Sequence, residues 1–443
     1  MSAAPSARPS PPTPPPSSLR RVVVASLIGT SLEWYDFFIY GTAAALVFNK
    51  LFFPSFAPLL GTLLAFTTYA VGFVARPLGG VVFGHFGDKL GRKNILIVTL
   101  MLMGIGTFLI GVLPTYATIG AAAPILLVVL RFVQGLGLGG EWGGAVLMTL
   151  ETGAPDRRGL NASWPQLGVP IGLLLANGVL SLMRGVTGSD GFLAWGWRVP
   201  FLLSGLLVVV GLWIRLRVAE SPLFAEVEQS EEKAGAPITE VLRRYPRQVL
   251  IAIGSRVGVD VAFYTFVLFI TTYVSTYLKL PSTYALNAVL IAAAVQVVLI
   301  PLFGHLSDRV ARRPIYLAGA VGAVVWVFVF FPLLNTGQFW LIVLATVVAL
   351  AFHAAMYGPQ AAFIAEMFPT RVRYTGASMG YQLAGILGGA LAPIISVALL
   401  DRFGTSVAVS LYAAAMLLVT LLCVLLAPET SKADLHADPV TAR

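Results

Sequence analysis

The sequence predicts an all-α polytopic membrane protein with twelve transmembrane helices. Of its 443 residues, 57% are hydrophobic and only 11% are charged, whereas about 25% of the residues of a soluble domain are charged. The apolar residues form continuous segments of roughly 20 residues, which is the length of a helix that crosses a bilayer. These segments lack the alternation of barrel strands. The single cysteine, Cys423, permits no internal disulfide. A soluble enzyme, a secreted disulfide scaffold and a disordered regulator are therefore excluded.

The apolar segments divide into two sets of six. The predicted spans are at about residues 22–47, 58–83, 94–113, 122–149, 162–183, 195–215, 248–276, 283–303, 314–332, 338–363, 375–399 and 405–427. Residues 1–21 form a Pro-rich tail that we expect to be disordered. The only long charged stretch separates the two sets, so we predict a six-helix bundle at 22–216, a central loop at 217–247, a second bundle at 248–427 and a tail at 428–443.

The distribution of positive charge predicts the orientation. Most of the 29 Lys and Arg residues fall on alternate loops, starting with the amino-terminal tail. Lysine and arginine are retained on the cytoplasmic side of a membrane. Both termini and the central loop are therefore predicted to be cytoplasmic, in a multi-pass protein of the cytoplasmic (inner) membrane.

Two loop patterns recur in the two halves. The pattern Gly-x-x-x-Asp-x-x-Gly-Arg-Lys at 84–93 follows the second span, and a related copy at 304–313 follows the eighth. The second copy has Ser307 and Ala311 in place of glycines. Independently, an acid and an arginine are seven residues apart at Glu151/Arg158 and again at Glu366/Arg373. Matched signatures indicate a parallel repeat and two pseudo-symmetric bundles, with a site at their interface.

These motifs resemble the major facilitator superfamily over residues 20–430. Finer features resemble its metabolite:H⁺ symporter branch, which includes shikimate, organic-acid and proline/betaine permeases. They are Glu-Trp-Tyr-Asp-Phe at 33–37, Arg-Pro-Leu-Gly-Gly at 76–80, Gly-Gly-Glu-Trp-Gly-Gly at 139–144 and Trp-Gly-Trp-Arg-Val-Pro at 195–200.

The resemblance implies a proton-coupled symporter that imports a small organic acid, such as shikimate or a dicarboxylate, by alternating access. Uptake of an osmolyte such as proline or betaine is the alternative. A drug exporter and a membrane sensor rank lower. No enzymatic activity, cofactor, metal or nucleic-acid partner is expected. We expect a functional monomer whose partners are the bilayer, protons and a small-molecule substrate.

Ionisable residues inside spans are the strongest functional signal, because each is costly to insert. Glu33 and Asp36 are three residues apart and so share one helix face. Burial disfavours a carboxylate and a nearby arginine stabilises it, so an acid between these effects can gain and release a proton. We predict that Asp36, then Glu33, with Arg131, couple transport to protons. The structural alternative is a static buried ion pair. Arg256 and Asp260, four residues apart, predict a local pair of this kind.

Polar and aromatic residues in the spans complete a predicted substrate site. Arginine binds a carboxylate through two parallel hydrogen bonds, so the two arginines are the predicted ligands of a substrate carboxylate. It comprises Arg131, Arg76, Tyr35, Tyr40, Gln134, Gln166, Tyr357, Gln360 and Gln382.

The charged loop residues form a second predicted set, a cytoplasmic gate. The resemblance implies that they join helices by salt bridges and hold the cytoplasmic side closed. The set comprises Gly84, Asp88, Arg92, Lys93, Glu151, Arg158, Asp308, Arg312, Glu366 and Arg373.

Overall fold

A computed structural model describes residues 16–90, 92–217 and 237–433. Within these ranges only the backbone is described at 16–19, 21, 25, 80–90, 92–96, 140–141, 152, 207, 213–217, 237 and 371. These ranges contain helices and no strand. Ten helices are long and apolar enough to cross a membrane, and two shorter apolar helices, Ile97–Val112 and Arg198–Leu212, bring the described ranges to twelve. The prediction of an all-α polytopic fold is confirmed.

The amino-terminal half, residues 16–217, contributes six helices. They are α1 (16–51), α2 (Pro58–Leu90), α3 (Arg92–Val112), α4 (122–152), α5 (Pro155–Gly196) and α6 (Arg198–Arg217). Two of them are interrupted along their length. A 3₁₀ turn, Leu138–Gly140, divides α4, and Leu167 separates the α5 segments Arg158–Gln166 and Gly168–Gly191.

The carboxy-terminal half, residues 237–433, contributes the other six. They are α7 (Pro246–Tyr277), α8 (Ser282–Arg309), α9 (Arg312–Asn335), α10 (Phe339–Glu366), α11 (370–403) and α12 (Ser406–Leu426). A short helix, Pro237–Arg244, precedes α7 within the segment predicted as a central loop. Residues 218–236 of that segment lie outside the described ranges.

The two halves meet through equivalent helix pairs. Helix α2 of the amino-terminal half packs against α11, and α5 packs against α8. Helix α5 also contacts α10. The α5–α8 contact is close because glycines face each other. A Cβ on Gly304 would lie 2.9 Å from the carbonyl oxygen of Gly159 and 2.8 Å from Ser163 Cβ. Only small residues allow two backbones to approach this closely.

Many large apolar side chains are exposed, for example Leu206, Val298, Trp340 and Leu411. They lie on spans, where lipid rather than water is the solvent. The polar and charged side chains of the spans instead point inward, towards helix contacts and the interface between the halves.

Candidate functional site

An aromatic cluster joins the two halves around buried arginine. From the amino-terminal half, Phe37 and Phe73 pack against Tyr264 of α7 with ring centroids 6.5 and 5.9 Å apart. The Arg76 guanidinium lies 4.6 Å from the Phe37 centroid and 4.8 Å from that of Phe73. Such contacts hold a cation without neutralising it. The buried Nε of Arg76 makes no hydrogen bond among the described residues, so Arg76 retains binding capacity at the interface.

The predicted Arg256–Asp260 pair is confirmed. Arg256 Nε donates to Asp260 Oδ2 at 2.9 Å within α7, and both side chains are buried. The guanidinium also lies 3.2 Å from the Tyr381 ring centroid, and its Nη1 donates to Gln360 Oε1 at 3.4 Å. Gln360 in turn donates to the Tyr316 hydroxyl at 2.7 Å. Three spans of the carboxy-terminal half thus converge on this ion pair.

A tryptophan that sequence reasoning did not select bridges the halves. Trp142 of α4 stacks on Tyr381 of α11 with a centroid distance of 3.6 Å. Its Nε1 donates to Gln166 Oε1 at 3.1 Å, and Gln166 Nε2 donates to the Tyr357 carbonyl at 3.4 Å. Gln382 reaches back to the Gly139 carbonyl at 3.4 Å. The candidates Gln166, Tyr357 and Gln382 therefore all lie at the interface. Trp142 belongs to the Gly-rich motif at 139–144, which was the available signal.

The acidic pair of α1 lies inside the amino-terminal half. Glu33 and Asp36 are buried and line one cleft with Leu100 and Met103 of α3 and with Ser204 of α6. The cleft is narrow: its free volume is about 10 Å³, roughly the space of one water molecule. The buried Oδ1 of Asp36 makes no hydrogen bond among the described residues. The two acids share a face as predicted, but this face is turned towards α3 and α6.

Arg131 of α4 is buried against aromatic rings of α1 and α2. Its guanidinium lies 4.4 Å from the Tyr40 ring centroid and 4.7 Å from that of Phe37. Nη1 donates to Gln134 Oε1 at 3.3 Å, whereas Nε and Nη2 are buried without a partner among the described residues. Gln134 is fixed by the Thr107 hydroxyl at 2.6 Å. The positive charge of Arg131 acts on Asp36 through space, since the structure records no hydrogen bond between these two described side chains.

Two predicted substrate ligands are engaged in local contacts. The Tyr35 hydroxyl donates to the Pro200 carbonyl at 2.6 Å and ties α1 to the start of α6. The Tyr40 hydroxyl lies 2.7 Å from the Thr68 hydroxyl on α2. Both hydrogen bonds lie within the amino-terminal half and apart from the Trp142–Tyr381 stack. In this conformation these side chains fix helix positions, so their role as ligands stays a prediction.

Buried ion pairs occupy one end of the molecule, which we call the charged end and define by Glu151, Arg158, Asp308, Arg312, Glu366 and Arg373. Arg312 is its centre. It donates to Asp308 Oδ1 at 2.6 Å, to Glu366 Oε1 at 3.1 Å and to the Ser307 hydroxyl at 2.9 Å. Arg312 therefore joins α8, α9 and α10 within the carboxy-terminal half.

The second loop copy has Ser307 and Ala311 where the first copy has glycines. The Ser307 hydroxyl accepts a hydrogen bond from Arg312 Nη1. Ala311 has a φ of 141°, a backbone conformation that favours glycine. Its counterpart in the first copy, Gly91, lies outside the described ranges. Of the predicted gate residues, Gly84, Asp88, Arg92 and Lys93 belong to the stretch whose side chains lie outside the description.

At the charged end, contacts between described residues join the halves. Asp308 accepts hydrogen bonds from the backbone N–H groups of Gly159 and Leu160 at 2.7 and 2.9 Å, at the start of the α5 segment Arg158–Gln166. An acid at a helix amino terminus also opposes the positive end of the helix dipole. Arg373 Nη1 lies 3.1 Å from Glu151 Oε1 across the halves. Arg158 donates to the Ala433 carbonyl at 2.9 Å. The charged end is closed.

The opposite end is also closed, by weaker contacts. The Ser181 hydroxyl of α5 donates to Asn287 Oδ1 of α8 at 3.1 Å. A Cβ on Gly41 of α1 would lie 2.9 Å from a Leu268 methyl of α7, so these helices also meet. Ser181 is more than twenty residues beyond Arg158 along α5, or roughly 30 Å at 1.5 Å per residue. The aromatic cluster that joins the two halves therefore lies between two closed ends.

Loss of the Glu151–Arg373 bridge should favour opening of the charged end. The Glu151 side chain is one-third exposed, so the pair contributes about 1 kcal/mol, and Glu151→Gln should raise the open fraction about fivefold. Distances between spin labels on the two halves would measure it. Asp156→Asn, on the exposed loop nearby, is the matched control. An unchanged distance distribution in Glu151→Gln would show that the bridge does not hold this end.

Glu429 should make stability depend on acid pH. Burial raises the pKa of this carboxyl, but the backbone N–H groups of Arg313, Ser431 and Arg312 lower it, and the net pKa is below its ordinary value of 4.5. An acid with a lowered folded pKa stabilises the fold above its ordinary pKa, and this contribution disappears as pH falls through the folded value. As the pH is lowered from about 4.5, we expect the melting temperature of the wild type to decrease more steeply than that of Glu429→Gln. Parallel curves would contradict this.

Comparisons with known proteins agree with this architecture. The family model described as "Sugar (and other) transporter" matches residues 22–244, and the model described as "Major Facilitator Superfamily" matches residues 259–442. A solved structure of the proton:xylose symporter XylE has a TM-score of 0.74 over 94% of this chain and 97% of its own, at 17% identity. A partially occluded inward-open form of XylE from E. coli gives 0.73 over 94% and 99%, at 20% identity. These likenesses concern the fold.

Similarity to curated transporters extends over nearly the whole chain. The "Inner membrane metabolite transport protein YhjE" of Escherichia coli strain K12 is 42% identical over 94% of this chain and 96% of its own. The "Shikimate transporter" of the same strain is 41% identical over 94% and 96%. Its "Proline/betaine transporter" is 34% identical over 86% and 78%. With the two six-helix halves and the enclosed interface, these matches establish that the chain is a membrane transporter, not an enzyme, and belongs to the major facilitator superfamily.

Proposed function

We propose that this transporter is a proton-coupled symporter that imports a small organic acid across the cytoplasmic membrane. One observation carries the proposal. Asp36 has a buried oxygen without a partner, and nearby Arg131 has two buried nitrogens without partners, all among described residues. Unpaired buried polar groups are costly. A carboxyl that changes its protonation state during transport explains why they persist.

The geometry suggests how the proton is held. When Asp36 is ionised, the positive charge of Arg131 stabilises it. When Asp36 is protonated, Arg131 loses this interaction, and only the aromatic rings and Gln134 hold it. The side chain of Arg131 is then free to change conformation while α4 stays in place. Glu33 lines the same cleft on the same face of α1, so we assign it to proton exchange between Asp36 and the cleft.

Arg76 is the best-placed anchor for a substrate carboxylate. It lies at the interface, where α2 and α7 meet, and its Nε is unpaired in this conformation. Asp260 acts on it electrostatically, and Arg256 already neutralises Asp260. The net positive charge at the interface therefore favours an anion. The relative named a shikimate transporter supports an organic acid as the substrate class.

Alternating access would use the two closed ends. Opening of the charged end requires separation of Glu151 from Arg373 and of Asp308 from α5, whereas opening of the other end requires separation of Ser181 from Asn287. Because lysine and arginine remain on the cytoplasmic side, we assign the charged end and both termini to the cytoplasm. A membrane potential then favours entry of a proton by about 2.3 kcal/mol per 100 mV.

Uptake into proteoliposomes tests the proposal. Purified protein would be assayed with labelled shikimate, 2-oxoglutarate and citrate under an imposed pH gradient, acid outside. We expect accumulation of one of these acids, and loss of accumulation when a protonophore is added. Accumulation that is unaffected by the protonophore would exclude proton coupling. No uptake of any organic acid would exclude the substrate class.

A zwitterionic osmolyte is the second candidate. The rings around Arg76 and Tyr264 could also hold a quaternary ammonium group by cation–π attraction, and the proline/betaine transporter supports this class. Because protein arginines already occupy these ring faces, we rank the osmolyte second. Inclusion of proline and betaine in the same assay separates the candidates, since only one class should drive saturable uptake.

A further inference from the structure

The short helix Pro237–Arg244 presents an apolar face that is only partly covered by protein. Val241 and Tyr245 are fully buried, whereas Ile238 is 49% exposed and Leu242 52% exposed. At 3.6 residues per turn, these four positions lie on one side of the helix. The buried pair packs against the protein, near the start of α11, and the exposed pair extends the same apolar face outwards.

A further exposed apolar residue follows on α7. The short helix ends at Arg244, Tyr245 has non-helical backbone angles, and α7 begins at Pro246. Leu250, on the second turn of α7, is 67% exposed, in a helix that is long and apolar enough to span a membrane. Because Ile238 and Leu242 lie just before this span, we expect their exposed side chains to lie close to the membrane boundary.

Basic residues border the exposed apolar face. Arg243 and Arg244 occupy the other side of the short helix, and Arg247 follows on the first turn of α7; all three are exposed. Glu240 is the single acid in residues 237–250, so this segment has three positive charges and one negative charge. An amphipathic helix with an apolar face and a basic face lies in the plane of the bilayer surface, and basic residues beside it attract anionic headgroups.

We propose that residues 237–250 form an interfacial anchor that lies in the bilayer surface and binds anionic phospholipid headgroups through Arg243, Arg244 and Arg247. Ile238 and Leu242 insert at the boundary between headgroups and acyl chains. The anchor connects to two parts of the transport machinery, because the short helix packs on α11 and leads directly into α7, which carries Arg256 and Asp260. The inference does not depend on the substrate or on proton coupling.

Depth measurements test the insertion. A nitroxide on Leu242→Cys, in a Cys423→Ser background, would be compared in bilayer nanodiscs with one on Asp156→Cys, an exposed loop position. We expect the label at 242 to be relaxed more by oxygen than by a water-soluble nickel complex, and the label at 156 to show the reverse. If both labels prefer the nickel complex, the short helix is in water and the proposal is wrong.

Lipid selectivity tests the charge. A fluorophore at position 242 would be quenched by brominated phosphatidylglycerol or brominated phosphatidylcholine at equal mole fraction. We expect a preference for phosphatidylglycerol that falls about fivefold for each arginine removed in Arg243→Gln and Arg247→Gln. Arg402→Gln, an exposed arginine of α11 outside this segment, should leave it unchanged. If the double variant fails to fold, raised salt should weaken the wild-type preference instead. Equal quenching by the two lipids in the wild type would overturn the proposal.

Discussion

Asp36→Asn should abolish proton-driven accumulation of the substrate while exchange of substrate across the membrane continues. Asparagine matches the size of the protonated acid but can neither release nor accept the proton. A pH gradient of one unit supports about tenfold accumulation through one coupled proton, so this variant should reach only equal concentrations on the two sides. Uptake under a pH gradient, measured beside counterflow in proteoliposomes, separates the two activities.

The matched control is Asp401→Asn, which makes the same change at an exposed acid near the end of α11. It should accumulate substrate like the wild type. If Asp36→Asn also concentrates substrate, Asp36 is not the proton carrier, and Glu33→Gln becomes the variant to measure. Loss of both accumulation and counterflow would show instead that Asp36 is needed for the transport cycle itself.

Arg312→Met should be among the most destabilising substitutions in the molecule. Arg312 is almost fully buried and pairs with both Asp308 and Glu366. Removal of one partner from a buried ion pair costs about 3–5 kcal/mol, because the other charge remains buried and unpaired. Here two carboxylates would be left. We expect a fall of many degrees in the apparent melting temperature in detergent.

Arg309→Met provides the control, because Arg309 lies three residues earlier, at the end of α8, and is exposed. Its melting temperature should stay close to that of the wild type. If Arg312→Met melts at the wild-type temperature, water or another cation neutralises the two acids and the network does not stabilise the fold. A third variant, Arg312→Lys, should recover only part of the loss, since lysine cannot reproduce the forked contact.

The sequence could predict the fold because apolar length and loop charge are local properties. It could not predict where helices bend. The 3₁₀ turn at 138–140 and the interruption at Leu167 depend on contacts between helices, and the start of α1 at Pro16 lies in a stretch whose composition suggests a tail. The helix 237–244 was not recognised in the charged central segment, because eight residues hold only about two helical turns and do not show a clear apolar period.

The roles of the predicted site residues stay predictions, but the residue types did predict burial. The ionisable residues of the spans whose side chains are described are buried, and Arg256 and Asp260 pair as their spacing suggests. The direction of each side chain was not available from spacing, so the acids of α1 were not expected to face α3 and α6. Trp142 and Tyr381 were missed as a pair because they come from different halves. Thr107 gave no signal, since a lone threonine in an apolar helix is ordinary.

The two ends of the molecule are held with unequal strength. The charged end is held closed by buried ions and a capped helix, whereas the described contacts at the other end include one neutral hydrogen bond and apolar packing. An empty carrier should therefore spend most of its time facing away from the cytoplasm. Such a resting bias would make saturated uptake faster than saturated efflux at equal and opposite gradients, although it produces no net flow when no gradient is present.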